Sequence, residues 1–277
     1  MANNSVYKSL LFVPASRQDM AERAHQRGAG GIILDLEDGV AAEQKPAARA
    51  TLNSLLQMLQ DNGVTALVRI NSLETGGRLD IAAIDSRFTP ALLIPKVTTP
   101  AQLLAVQSCW TDSGKALSSL QLLPMIECPQ GLFQASAIAT ASEAVVAMIF
   151  GSEDFAAEAG LSTAIDALAV PAQWLALAAA AAGVAAYGLP GSLANYQDMA
   201  LFESTVKRAK TIGFAGSLCV HPKQVAVANA VFRPTDQELT WAQAVVAQGI
   251  GGGATGGAMG MVDAPVLARA QAILARL

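Results

Sequence analysis

Short, almost purely apolar runs recur along the chain at 10–13, 31–34, 66–70, 91–94, 122–126, 145–150, 184–187 and 217–220. Several have no alternation of polar positions, as strands buried on both faces require. Between them lie helix-compatible stretches at 18–27, 45–60, 100–110, 131–142, 171–182 and 199–212, with a short one at 78–86. Pro171 suits the first turn of a helix and Gly183 suits the position just past its end. Eight βα units predict an α/β fold, a (β/α)8 TIM barrel.

The polar residues follow the runs closely. Asp35, Glu37 and Asp38 come after the second, Arg69 and Asn71 end the third, and Lys96 follows the fourth. Glu127 closes the fifth, Glu153 and Asp154 follow the sixth, and His221 follows the eighth. In a barrel these ends share one face, the face on which such enzymes build active sites. Loops expected at the other end, such as 28–30 and 61–63, are bland by comparison. Glu127 and Asp154 end adjacent strand positions, and neighbouring strands lie about 5 Å apart. Two carboxylates with water and substrate suit Mg2+; helix capping or plain solvation is the competing reading.

Composition narrows the classes. The chain has 277 residues, is 52% hydrophobic and carries a net charge of −4. Its mean hydropathy is +0.38 and its pI near 5.2. A large core is expected, and no basic patch suggests nucleic acid. No signal-like start or membrane-length apolar run occurs. Cys109, Cys128 and Cys219 are far apart, fitting a reduced cytoplasmic protein without a zinc site.

Several segments together resemble the citrate lyase β-subunit-like family of the HpcH/HpaI aldolase superfamily. They are Ser9-Leu10-Leu11-Phe12-Val13-Pro14, Leu34-Asp35-Leu36-Glu37-Asp38-Gly39-Val40, Val68-Arg69-Ile70-Asn71-Ser72 and Pro95-Lys96-Val97. Pro124-Met125-Ile126-Glu127, Gly151-Ser152-Glu153-Asp154-Phe155, Val220-His221-Pro222 and Met261-Val262-Asp263-Ala264-Pro265 complete the set. The resemblance implies a barrel enzyme, usually a homotrimer, with Mg2+ held by Glu127 and Asp154. It implies retro-Claisen cleavage of a 3-hydroxyacyl-CoA thioester, of malyl-CoA or citramalyl-CoA type, to an acyl-CoA and a 2-oxo acid. One alternative is a citrate-lyase-type subunit working on an acyl-carrier-protein thioester. Another is a barrel that binds thioesters or partner subunits without catalysis. Two departures touch the substrate: Pro14-Ala15 replaces a common Pro-Gly, and the loop 187–192 differs from the family's Asp-Gly form.

Roles can be assigned on this basis. Arg69 has a planar, permanently charged fork suited to an anion developing on the thioester oxygen; a salt bridge to Glu37 or Asp38 is the plainer role. Asp35, Glu37 and Asp38 are expected to include a group that holds metal-bound water. Lys96 and Asn71 are expected to meet substrate, although a Lys at a strand end also suits a Schiff base. Arg17 could meet a CoA phosphate or sit solvated at a helix start. His25 reads as exposed, His221 as structural and Cys128 as core filler. Gly249 to Gly260 holds seven glycines in twelve residues and reads as a hinge. The expected division is a catalytic barrel, 1–248, and a hinge with a C-terminal helix, 249–277, whose apolar face would pack on a neighbouring subunit. Asp263 opens that helix. The family places the matching Asp over a neighbour's site as general acid/base; a simple N-cap is the other reading.

Overall fold

A computed structural model describes residues 7–88, 90–249, 255–257 and 260–275. Eight parallel strands run in chain order: β1 Ser9–Pro14, β2 Gly31–Asp35, β3 Ala66–Arg69, β4 Ala91–Ile94, β5 Leu122–Ile126, β6 Ala147–Phe150, β7 Ala185–Tyr187 and β8 Ser217–Cys219. Each pairs with the next through β7, and β1 also pairs with β8. Tyr187 bridges Gly216 across the remaining gap, and Ala215 N–H donates to Ala186 O at 2.8 Å. The eight strands thus form a nearly closed barrel. β2, β4, β5 and β6 are buried throughout, which explains their unbroken apolar sequences.

Helices fill the connections: α1 Gln18–Ala24, α2 Lys45–Asp61, α3 Arg78–Ala83, α4 Pro100–Asp112, α5 Pro129–Phe133 and α6 Ala135–Ala139. They continue as α7 Ser152–Ala159, α8 Ile165–Ala181, α9 Met199–Ile212, α10 Pro222–Phe232, α11 Asp236–Gln248 and α12 Ala264–Leu274. The stretch 131–142, expected as one helix, is two, because Gln134 leaves helical geometry between them. Pro171 is not at a helix start. It lies inside α8, which begins at Ile165 because Leu168 and Ala169 bury a further turn and a half ahead of the proline. Gly183 does follow the helix with φ 72°, and Val184 N–H reaches Ala179 O at 3.0 Å.

The chain divides into two compact units, Met1–Asn229 and Ala230–Leu277. The second therefore starts well before residue 249. Its core is Ala242 and Val245 of α11 with Val262 and Ala270, flanked by Trp241, Val266 and Ile273. The apolar face of α12 packs in part on α11, burying Ala270 and leaving Val266, Leu267, Ile273 and Leu274 half-buried. Within the glycine-rich stretch, residues 250–254, 258 and 259 lie outside the described residues. Thr255–Gly257 (β9) pairs antiparallel with Gly260–Val262 (β10). No described helix is long and apolar enough to cross a membrane.

Candidate active site

At the C-terminal ends of β2 and β3 the register sets Asp35 beside Arg69. The guanidinium donates to both carboxylate oxygens, Nε and Nη2 each at 2.7 Å. The same oxygens accept the N–H groups of Glu37 and Gly39, each at 2.9 Å. Asp35 is therefore fully engaged in holding Arg69 and the turn after β2. Arg69 also lies over the Phe12 ring, 4.8 Å from its centroid. Its Nη1 approaches Glu37 Oε2 at 2.9 Å, but without hydrogen-bond alignment, so that buried oxygen has no donor among the described residues. Burial opposes the Arg69 charge; the Asp35 hydrogen bonds and the charges of Asp35, Glu37 and Glu127 outweigh it, and the pKa is raised. Glu37 is also raised, first by burial, against Arg69 and Lys96.

Lys96 joins this cluster to the next strand ends. Its Nζ lies 3.1 Å from Glu37 Oε1 and 3.8 Å from Asp38 Oδ2, while its N–H donates to Glu127 Oε2 at 2.8 Å. This needs φ 54°, the only left-handed value outside glycine among the described residues. Its ammonium pKa is raised, burial being overcome by Glu37, Asp38 and Glu127. That ionised, ion-paired state is the opposite of what a Schiff-base lysine needs.

Glu127 is almost wholly buried one residue past β5. Burial, then the charges of Asp154 and Glu37, push its carboxyl up to about 7, against the Lys96 N–H and Arg69. Gly151 permits this placement: a Cβ there would stand 2.4 Å from Glu127 Cγ and 2.7 Å from Oε1. Asp154, in the first turn of α7, shares with Glu127 a cavity of about 340 Å3 that Lys96, Thr98, Cys128 and Glu158 also line. Two carboxylates that repel each other, with a donorless Glu37 oxygen close by in the cluster, suit a divalent cation and its bound water.

The family of HpcH/HpaI aldolase/citrate lyase matches residues 8–222. The chain belongs to that family. It is 34% identical to a (3S)-malyl-CoA thioesterase of Cereibacter sphaeroides, over 87% of this chain and 82% of the relative. An L-malyl-CoA/beta-methylmalyl-CoA lyase of Rhodobacter capsulatus is 31% identical, over 86% and 82%. CitE from Mycobacterium tuberculosis, solved in complex with magnesium, acetoacetate and coenzyme A, superimposes with a TM-score of 0.77 at 29% identity, over 99% of this chain and 98% of that one. This HpcH/HpaI chain is thus an enzyme of the lyase type, and its family's ligands include magnesium and CoA.

The other sequence-expected residues of this family member separate into groups. Asn71 is buried and not free for substrate: Nδ2 donates to Leu36 O at 2.9 Å and Asp80 Oδ2 at 2.7 Å, and Lys45 Nζ donates to Oδ1. Asp80, fully buried, also accepts Asn71 N–H at 2.7 Å and Arg49 Nε at 2.6 Å. Nothing in the sequence marked Asp80, an acid inside a short helix. Arg17 pairs with exposed Asp19 at 2.9 Å and lines a second cavity, of about 260 Å3, with Phe12, Arg23, Arg27 and Val220. Asp38 is exposed, and among the described residues its one ion pair is the long Lys96 contact. His25 is half-buried, with Nδ1 enclosed and without a hydrogen-bond partner among the described residues. Asp263 lies in the second unit, where one oxygen caps α12 through Val266 N–H at 3.1 Å. Glu153, adjacent to Asp154 in sequence, points elsewhere: its Oε1 accepts Ser192 Oγ at 2.5 Å and Leu193 N–H at 2.9 Å.

Proposed function

We propose that this protein is a Mg2+-dependent carbon–carbon lyase that cleaves a 3-hydroxyacyl-CoA thioester, of malyl-CoA or citramalyl-CoA type, into an acyl-CoA and a 2-oxo acid. The observation that carries this reading is the buried Glu127 beside Asp154 in one cavity, where burial and acidic neighbours outweigh the Lys96 N–H and the Arg69 charge. Glu127 and Asp154 would hold the cation, which when bound supplies a Lewis acid and a template for the carboxylate and hydroxyl of the acyl chain. Cleavage breaks the bond between the hydroxyl-bearing carbon and the thioester α-carbon. The hydroxyl gives its proton to water as its carbon becomes the carbonyl of the 2-oxo acid, and the electron pair of the broken bond passes to the thioester as an enolate. Arg69, fixed by Asp35 and Phe12, is preorganised to stabilise the negative oxygen. Lys96 keeps Glu37 and Glu127 in place and offers its exposed ammonium to the substrate carboxylate. Arg17, Arg23 and Arg27 line the second cavity with Asp19, which pairs with the first two, and a CoA phosphate would take the place of that carboxylate.

The enolate carbon must then take up a proton. Asp263 of a second copy, in a homotrimer, is proposed for that step. A second reading has support from the malyl-CoA thioesterase relative: water attacks the thioester and no carbon–carbon bond breaks. The purified protein, given malyl-CoA and citramalyl-CoA with Mg2+, separates the two. Release of 2-oxo acid without free thiol supports the lyase. Free thiol without 2-oxo acid assigns the hydrolase, and neither product overturns both. The same assay with a carrier-protein thioester addresses the citrate-lyase alternative.

A further inference from the structure

Adjacent carboxylates on the first turn of α7 have been given different tasks. Asp154 faces the cavity, whereas Glu153 reaches to the connection between β7 and α9. That connection runs from residue 188 to residue 198, eleven residues between Tyr187 and Met199; βα connections usually take about 2–6. It has no regular structure, and its single charged residue, Asp198, caps α9 through Leu201 N–H at 2.9 Å. Yet it is anchored on both sides. Glu153 Oε1 gathers Ser192 Oγ, Leu193 N–H and Ala194 N–H at 2.5, 2.9 and 3.3 Å. Gln224, fully buried, donates to Leu193 O at 3.0 Å and accepts Val220 N–H at 2.8 Å and His221 N–H at 3.0 Å. Tyr196 stacks on His221, centroids 4.8 Å apart and planes 5° from parallel. A long segment with so many fixed points is held in place at the C-terminal end of β7, the barrel end that carries Glu127 and Asp154.

We propose that Glu153 is a positioning residue that straps this loop to the turn carrying Asp154, and that the strapped loop selects the acyl group the site accepts. The loop supplies neutral backbone and side chains on a face otherwise crowded with charge, which suits the uncharged part of an acyl chain. Discrimination there comes from fit, and fit needs a wall that does not yield. The selectivity half of the inference rests on the thioester reading above; the strap half does not.

The test compares Glu153→Ala, Glu153→Gln and the milder Ser192→Ala. Glu153→Ala should raise KM for the preferred thioester by about tenfold with kcat changed far less, and narrow the preference between malyl-CoA and citramalyl-CoA. Gln retains the accepting oxygen and should restore both to within about threefold. Mg2+ affinity by calorimetry should stay within about threefold in all three, because Glu153 does not face the cavity. Amide exchange across residues 189–198 should quicken in Glu153→Ala and not in Glu153→Gln. Unchanged exchange overturns the strap even if no thioester is ever turned over. Faster exchange with unchanged KM and preference overturns the selectivity role. Loss of Mg2+ binding with unchanged exchange would place Glu153 at the metal instead.

Discussion

Replacing Glu127 by Gln should stabilise the metal-free protein at pH 8 while removing its capacity for metal. The carboxyl is raised from an ordinary 4.5 to about 7 by burial and by its acidic neighbours. Below pH 4.5 it is protonated in both folded and unfolded chains and contributes no pH dependence. Between 4.5 and 7 the unfolded chain loses the proton first, so stability falls as pH rises. Above 7 both states are ionised and the whole penalty is present, on the order of 3 kcal/mol at about 1.4 kcal/mol per pH unit. Gln is never charged, and its oxygen can still accept the Lys96 N–H that Glu127 holds at 2.8 Å. Urea denaturation in a chelator, at pH 5 and pH 8, measures the effect. The wild type should lose more stability between the two than the variant, in which Glu37 is still a raised carboxyl. At pH 8 the variant should be the more stable by roughly 2–3 kcal/mol. Added Mg2+ should stabilise the wild type by mass action and leave the variant unmoved. A variant less stable than the wild type at pH 8 without metal refutes the reasoning, for it would mean the fold favours the Glu127 anion.

Asp80→Ala should cost about 3–5 kcal/mol, because Arg49 and Asn71 lose a buried partner together; a thermal shift within error would show that the cluster is dispensable. Gly151→Ala should weaken Mg2+ binding at least about tenfold, since the new methyl falls on Glu127; unchanged affinity by calorimetry would show that the strand ends can part to admit it. Lys96→Gly should be more stable than Lys96→Ala by about 1 kcal/mol, as glycine adopts φ 54° without strain; equal melting points would remove the strain argument. Arg69→Lys should cut kcat by about 100-fold, and mixing it with Asp263→Asn under subunit exchange should restore some activity; confirmed exchange without recovery counts against Asp263 acting in trans.

Much of the barrel could be read directly, since each buried strand is an apolar run, and β2 and β5 end at a carboxylate. The ends of 91–94 and 122–126 fall where expected, and 199–212 is the observed α9. Other elements were hidden by competing local signals. Gly151-Ser152-Glu153-Asp154 reads as a polar loop, although acids in a first turn also suit the start of α7. Thr235 and Glu238 form a capping box that announces α11 in the sequence, and without that helix α12 looked unpartnered. For the site, residue types were legible and partners were not. Asp35, Glu37 and Arg69 stood out as charges at strand ends, but only the β2–β3 register assigns the fork to Asp35. Asn71 looked like a ligand residue because its amide partner Asp80 carries no pattern of its own. Glu153 and Asp154 are neighbours in sequence whose directions only the helix turn separates.

The pairing of β1 with β8 joins Ser9 to Ser217. During synthesis the first strand is made early and its second neighbour very late, so the barrel cannot close until nearly all of the first unit has been produced. Until then β1 has an open edge, and long-range parallel pairing of this kind is slow. The residues of the second unit follow β8 in the chain. β8 can therefore emerge and pair with β1 while those residues are still being made.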